Sequence, residues 1–343
     1  MRPLAVAALG LAIGVTAFGL GVGQGAAPDP DEWATYVRRF VTMDGRVVDT
    51  GNRGISHSEG QGYAMLLAVA NRDPETFAEL WRWTRRHLQI RGDHLFAWKW
   101  DPAAPDPVAD RNSAADGDIL IAWALARAAR LWGDPGHREA ARAIAHDVLA
   151  QLVIQDGDHT LLLPGPQGFV HGDVVTVNPS YWVFPAFAEL DGMAPSPLWA
   201  ALTASGLELI ERARFGPQRL PPDWLALDES LRPSPLFPPT FGYDAIRVPL
   251  HLVWAGIADE RLLRPFVDWA GAAGGRPPAT VDLLTGEVSP EAASGGARAV
   301  LDLARSALDG DPPALPRLGD DADYFAASLL LLSKLAHAER SAP

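Results

Sequence analysis

The sequence predicts an all-α protein, an array of helical hairpins with its long loops gathered at one end. Three observations carry that prediction. After residue 30 apolar residues recur at three- and four-residue spacing, as in Ile119, Ile121, Ala122, Leu125 and Ala129, the stripe of a core-facing helix. Strand-like alternation is scarce, because Thr160-Leu161-Leu162-Leu163 and Val174-Val175-Thr176-Val177 are short and fall in loops. Connections alternate in length, and the short ones force neighbouring helices antiparallel.

The elements follow in order. The first helix is expected over 31–44, after Pro28-Asp29-Pro30. Ser58-x-x-Gln61 reads as a capping box opening 58–71, which only 72–73 separate from 74–87. Ser113 stands at a capping position for 113–132, and 133–134 turn the chain into 135–152. Asn178 and Pro179, cap and first-turn proline, open 179–191, followed after 192–195 by 196–213. Ile246, Val248, Leu250 and Val253 mark 241–257, parted from 259–273 by residue 258 alone. Helices at 290–308 and 320–338 complete the series. The loops into the even-numbered helices are long: 45–57, 88–112, 153–178, 214–240 and 274–289. Long loops without structure of their own usually carry function, and hairpin geometry brings them all to one end. Eleven segments is one short of a closed ring of six hairpins. No repeated motif, low-complexity linker or domain boundary interrupts the chain.

Composition narrows the function classes. At 343 residues and 48% hydrophobic content the chain can bury a substantial core. Its formal charge of −13 argues against nucleic acid and anionic membrane surfaces as partners, and suits a neutral substrate. The absence of cysteine excludes disulfides, iron–sulfur clusters and thiolate zinc sites. Twelve Trp residues offer flat faces on which sugar rings stack, although about two-thirds of them are expected in the core. At the N-terminus Arg2 precedes an uncharged stretch from Pro3 to Pro28 that ends in Gly25-Ala26-Ala27. This reads as a secretory signal peptide over 1–27, leaving 28–343 as one domain with no membrane span. An uncleaved anchor is the alternative, weakened by the frequent Gly. Either reading puts the folded part outside the cytoplasm.

Three acids stand alike. Glu59, Asp116 and Asp244 each follow a long loop and open an apolar helical run. Taken singly, each also fits an acid complementing the helix dipole. Together, at the long-loop end, they favour a site for acid/base hydrolysis. Asp118 lies two residues beyond Asp116, so only one of the pair is expected to face a shared cleft. Arg247, three residues beyond Asp244 on the same face, is expected to hold that carboxylate ionised. A general acid at a helix start needs an opposing push from burial or neighbouring carboxylates. Tyr181, Tyr243, Trp98 and Trp100 reach the same end, as sugar-stacking platforms or as loop packing. Other chemistries read poorly. The nine His residues include no H-E-x-x-H or metal-spaced cluster, and no G-x-S-x-G elbow, P-loop or dinucleotide fingerprint is present. Gly274-Gly275 and Gly295-Gly296 are turn punctuation.

Four segments carry a resemblance to a known family. Ser58-Glu59-Gly60-Gln61-Gly62-Tyr63-Ala64-Met65, Asn112 to Asp118, Asn178-Pro179-Ser180-Tyr181 and Tyr243 to Val248 are similar, in order, to motifs of glycoside hydrolase family 8. The likeness is strongest to its periplasmic cellulose-synthase-associated endo-β-1,4-glucanases. Departures at Gly62, Ala64 and Pro249-Leu250-His251 leave the subfamily open. The resemblance implies an (α/α)6 barrel with an open cleft and an inverting mechanism that requires no cofactor or metal. It puts Glu59 on the general acid, Asp244 on the general base and Asp116 on a carboxylate contacting the sugar, with a carboxyl separation of about 6.5–9.5 Å. It implies β-1,4-glucan as partner, with the cellulose synthase machinery as a further one. Chitosan, xylan or mixed-linkage glucan keeps the same fold and mechanism, and charge does not exclude cationic chitosan. A non-catalytic glucan-binding export factor is the reading from a different class, and it leaves the three acids without a purpose.

Overall fold

The computed structural model describes residues 29–341, so the signal-peptide reading over 1–27 lies outside the described residues. Eleven α-helices run through them: α1 Pro30–Phe40, α2 Ser58–Ala70, α3 Pro74–His87, α4 Ala115–Trp132, α5 Pro135–Gln151, α6 Phe184–Asp191, α7 Pro197–Arg212, α8 Arg247–Trp254, α9 Glu260–Ala272, α10 Gly295–Asp309 and α11 Tyr324–Ser341. Helices α2, α4, α6, α8, α10 and α11 pack in that order, and α11 returns to α2 to close the ring. Helix α3 covers α2, α5 covers α4, α7 covers α6, and α9 lies against α8 and α10. Helix α1 covers α11 through Tyr36, whose hydroxyl meets Ser328 Oγ at 3.0 Å, and through the pair between Glu32 and Lys334 at 2.7 Å. The inner helices α2, α4 and α11 are buried on nearly every side, as helices enclosed by others must be. One continuous core runs from Trp33 to Ala336.

The ring has six inner helices and five outer ones. Its sixth outer position is filled by 310–323, which returns from α10 to α11 without helical structure. Pro312, Pro313 and Pro316 in that segment remove donors and block the preceding helical turns. That accounts for the count of eleven.

The two sets of helices start differently. The outer helices α1, α3, α5, α7 and α9 are capped by the side chains of Asp29, Asp73, Asp134, Ser196 and Asp259. At α2, α4, α6 and α8 no N-cap side chain bonds the first turn. The capping box expected at Ser58 is therefore absent. Gln61 instead accepts from Val47 N at 2.6 Å and donates to Thr84 Oγ1 at 2.8 Å, tying the loop before α2 to α3. Ser113 likewise stands one residue ahead of the cap position, with its hydroxyl buried.

The long loops carry short strands. These are β1 Ser56–His57, β2 Lys99–Trp100, β3 Val153–Asp156, β4 His159–Leu162, β5 Val170–His171, β6 Val174–Val177, β7 Leu225–Leu227, β8 Leu231–Pro233, β9 Thr240–Phe241 and β10 Val281–Asp282. All pairs are antiparallel: β1 with β2, β3 with β4, β9 with β10, and β5 to β8 as one four-stranded sheet. Some pair in local hairpins and others, as β1 with β2 and β6 with β7, across distant segments. The expected helix over 179–191 is a 3-10 turn, Pro179–Tyr181, then α6, because Trp182 and Val183 leave helical geometry. Trp182 does so to bury its indole, which donates to Leu202 O at 2.9 Å. The expected helix over 241–257 starts only at Arg247, since residues 240–241 are spent in strand pairing with β10.

Candidate active site

Arg247 opens α8 and is 1% exposed. Its guanidinium forks among three acids. Nη1 donates to Asp116 Oδ2 at 2.8 Å and to Glu59 Oε2, while Nη2 donates to Asp244 Oδ1 at 2.6 Å. The planar, always-charged fork suits carboxylates as a lysine ammonium would not. Tyr63 Oη accepts from Nη1 at 3.4 Å. One turn on along α8, His251 is fully buried, and burial with the nearby Arg247 charge holds its imidazole down at about 3. It is neutral and leaves the site with a single cation at its centre.

The acids arrive from three elements. Glu59 and Asp116 sit in the first turns of α2 and α4. Those turns touch because Gly117 has no side chain: a Cβ there would stand 2.7 Å from Ser58 Cβ and 2.8 Å from Glu59 N. Asp118 turns away, as its spacing predicts, and accepts from Phe96 N at 2.8 Å, fixing the loop that bears Trp98. Asp244 lies in the turn before α8, where Arg247 N donates to Asp244 O at 3.0 Å.

Burial dominates the electrostatics. It raises the Glu59 carboxyl against the opposing pull of Arg247, with Asp244 and Asp49 adding to the rise. It pushes Asp116 up to about 7, again against Arg247 and helped by the Glu59 charge. Asp244 is raised as well, first by burial and then by Asp116, so the guanidinium restrains the shift without reversing it. Arg247 does pair with Asp244, as the spacing predicts, while burial raises that carboxyl's affinity for a proton. Burial outweighs the ion pair, and the result is a stronger proton acceptor.

These groups line an open cavity of about 670 Å³. Around them stand Trp98, Tyr181, Tyr243, Asp49, His57 and Tyr324. Trp98 is oriented by its indole, which donates to Asp110 Oδ2 at 2.8 Å. Tyr181 lies under the guanidinium, with 5.7 Å from Arg247 Cζ to its ring centre. Tyr243 is 61% exposed and leans edge-on against Phe325. Trp100 is not brought to this cavity. Paired with Ser56 across β1 and β2, it packs on Trp83 and His87 of α3. Eight of the Trp residues are buried (33, 81, 83, 123, 182, 199, 254 and 269), and Trp98 is the half-buried one that reaches the cleft. A larger hollow of 840 Å³ lies between α7 and α9. Of its acids, Glu211 and Glu260 are paired to Arg261 and Arg264 at the surface.

The comparisons with known proteins fit this geometry. The model of the glycosyl hydrolases family 8 matches residues 14–339. The chain belongs to that family. A probable endoglucanase of Novacetimonas hansenii is 40% identical over 327 residues, covering 93% of this chain and 95% of its own. The crystal structure of endoglucanase Cel10, a family 8 glycosyl hydrolase from Klebsiella pneumoniae, superposes with a TM-score of 0.85 at 40% identity, over 90% of this chain and 99% of that one. The endo-β-1,4-glucanase CMCax from Acetobacter xylinum gives 0.85 at 40% identity, over 91% and 98%. As a family 8 member the protein is an inverting glycoside hydrolase with the (α/α)6 barrel.

Some residues at this family 8 cleft escaped the sequence reading. Asp49 faces His57 with 3.5 Å between Oδ2 and Nε2. Asp223 binds the turn that carries Asp244. Neither opens a helix, and helix starts were the only signal that picked out the other acids.

Proposed function

We propose that this protein is an endo-β-1,4-glucanase, exported by a signal peptide over 1–27 and acting as a single catalytic domain over 28–343. The observation that carries the reading is the convergence of Glu59, Asp116 and Asp244 on Arg247 in an open cleft flanked by aromatic rings. An open cleft accepts the interior of a polymer, and rings such as Trp98 and Tyr243 give neutral sugars apolar faces to stack on. The identity to proteins named endoglucanases supports β-1,4-glucan as the substrate.

In this mechanism Glu59, whose affinity for a proton is raised by burial, donates its proton to the leaving glycosidic oxygen. Asp244 takes a proton from a water that attacks the anomeric carbon from the opposite ring face, which requires room for that water between the two carboxyls. Asp116 hydrogen-bonds the distorted sugar and stabilises the oxocarbenium-like charge. The polymer in the cell is glucan leaving the cellulose synthase machinery, a partner supported by the motif resemblance.

Reducing-sugar release from carboxymethyl-cellulose tests this, with chitosan and xylan in parallel. Glu59→Gln and Asp244→Asn are each expected to lose about 1000-fold or more in kcat, and the first product seen by proton NMR is the α-anomer. Activity confined to chitosan moves the substrate, and the rim acids Asp49, Glu291 and Asp323 would then serve its amines. Tight glucan binding without hydrolysis leaves the binding-factor reading.

A further inference from the structure

Asp223 follows Pro221 and Pro222 in the long loop ahead of β7, where two fixed backbone torsions stiffen the chain. Its own amide donates to Thr240 O at 2.7 Å. Its carboxylate spans the turn that bears Asp244. Oδ1 accepts from Gly242 N at 2.9 Å and from Ala245 N at 2.7 Å, and Oδ2 accepts from Thr240 Oγ1 at 3.3 Å. Both ends of Gly242-Tyr243-Asp244-Ala245 are thus fastened to one side chain. The fit is close, since a Cβ on Gly242 would stand 3.0 Å from Asp223 Oδ2. No ion-pair contact with Lys, Arg or His reaches Asp223 among the described residues, so backbone amides and one hydroxyl hold its charge.

We propose that Asp223 is a positioning residue for Asp244: it fixes the turn that aims the Asp244 carboxylate, and its negative charge strengthens that carboxylate as a proton acceptor. The proposal rests on the reading of Asp244 as the general base. The groups facing Asp244 are Arg247 from α8, Asp116 from α4, Glu59 from α2, Asn178 and Tyr181 from the 3-10 segment, and Asp223. Arg247 alone pulls the proton affinity of Asp244 down by charge, and Asp223 adds to the acids that push it up. Burial first and the Asp244 charge second raise Asp223 in its turn. Two carboxylates this close titrate as a pair, so removing one charge lowers the proton affinity of the other.

Asn at this position keeps an acceptor for both amides and deletes the charge, whereas Ala deletes both. The pH profile of kcat/KM on carboxymethyl-cellulose is the measurement, made on Asp223→Asn, Asp223→Ala and Asp244→Asn beside the parent enzyme. Asp223→Asn is expected to move the acidic limb down by about one pH unit. Asp223→Ala is expected to lose about 100-fold in kcat with little change in KM, and Asn to restore most of that loss. An unshifted limb in Asp223→Asn, with Asp244→Asn inactive, overturns the electrostatic role of Asp223 alone. Full kcat in Asp223→Ala overturns the positioning role. Full activity in Asp244→Asn removes the base assignment itself, and this proposal falls with it. Should Asp223→Ala fail to fold, the limb of the isosteric Asn variant decides.

Discussion

Asp116 shows what the buried cluster costs the fold. Its carboxyl is pushed from an ordinary 3.8 to about 7, so between those values the folded state holds more protons than the unfolded one. Stability from this group is complete below the ordinary value and lost as pH rises through about 7. Asp116→Asn removes that dependence. Its melting temperature relative to the parent is expected to climb between pH values of about 4.5 and about 7.5, a trend that thermal denaturation reads directly. At this scale the sequence exposed Glu59, Asp116, Asp244 and Arg247, because each opens or precedes a helix beside recognisable neighbours. Trp100 lies outside the cavity because strand pairing with β1, invisible in one segment, lays it over α3. Asp223 stayed hidden for a similar reason, since its partners lie 19 and 22 residues away along the chain.

The helices of the inner ring approach one another where glycine permits. Gly62 rests against Leu120 and Ile121 of α4, and Gly117 of α4 rests against Ser58 and Glu59 of α2. Gly117→Ala must push α2 and α4 apart at the point where Glu59 and Asp116 share Arg247. Overpacking of this kind costs about 1–3 kcal/mol. Urea denaturation should show that loss, and the variant should lose kcat out of proportion to it, because the two acids are displaced. Most helices were legible from apolar spacing and short turns, as at 58–71 and 74–87 against the observed Ser58–Ala70 and Pro74–His87. The starts of α6 and α8 were not, because Trp182 leaves the helix to fill a hydrophobic site and residues 240–241 join β10. The uncapped inner helices also differ from their sequence signals. Ser58 and Gln61 look like a cap pair, yet Gln61 is drawn off by Val47 and Thr84.

Across the whole molecule the ring is tied at the end opposite the cleft. Arg127 of α4 bonds Glu189 of α6 at 2.9 Å and Glu339 of α11 at 2.6 Å, and Trp254 of α8 donates to Glu339 at 2.6 Å. Four inner helices meet there around Arg127, stacked on Trp123, with Arg130 as a second cation on Glu189 at 2.8 Å. Arg127→Ala leaves Glu189 to Arg130 and Trp123, and Glu339 to Trp254, so it is expected to cost about 1–3 kcal/mol in urea denaturation, with kcat per folded molecule unchanged. Hairpin order and loop length made this architecture readable from sequence, and the prolines of 310–323 explain why one outer helix is missing. Ring closure joins α2 to α11, residues far apart in the chain, and Tyr324 of α11 stands in the cleft beside Glu59. The cleft wall therefore lacks one side until α11 packs on α2. Glu59 comes early in the chain and Tyr324 almost last, so the complete cleft awaits the final helix. A chain truncated before residue 324 should accordingly release no reducing sugar, even with every acid of the cleft floor present.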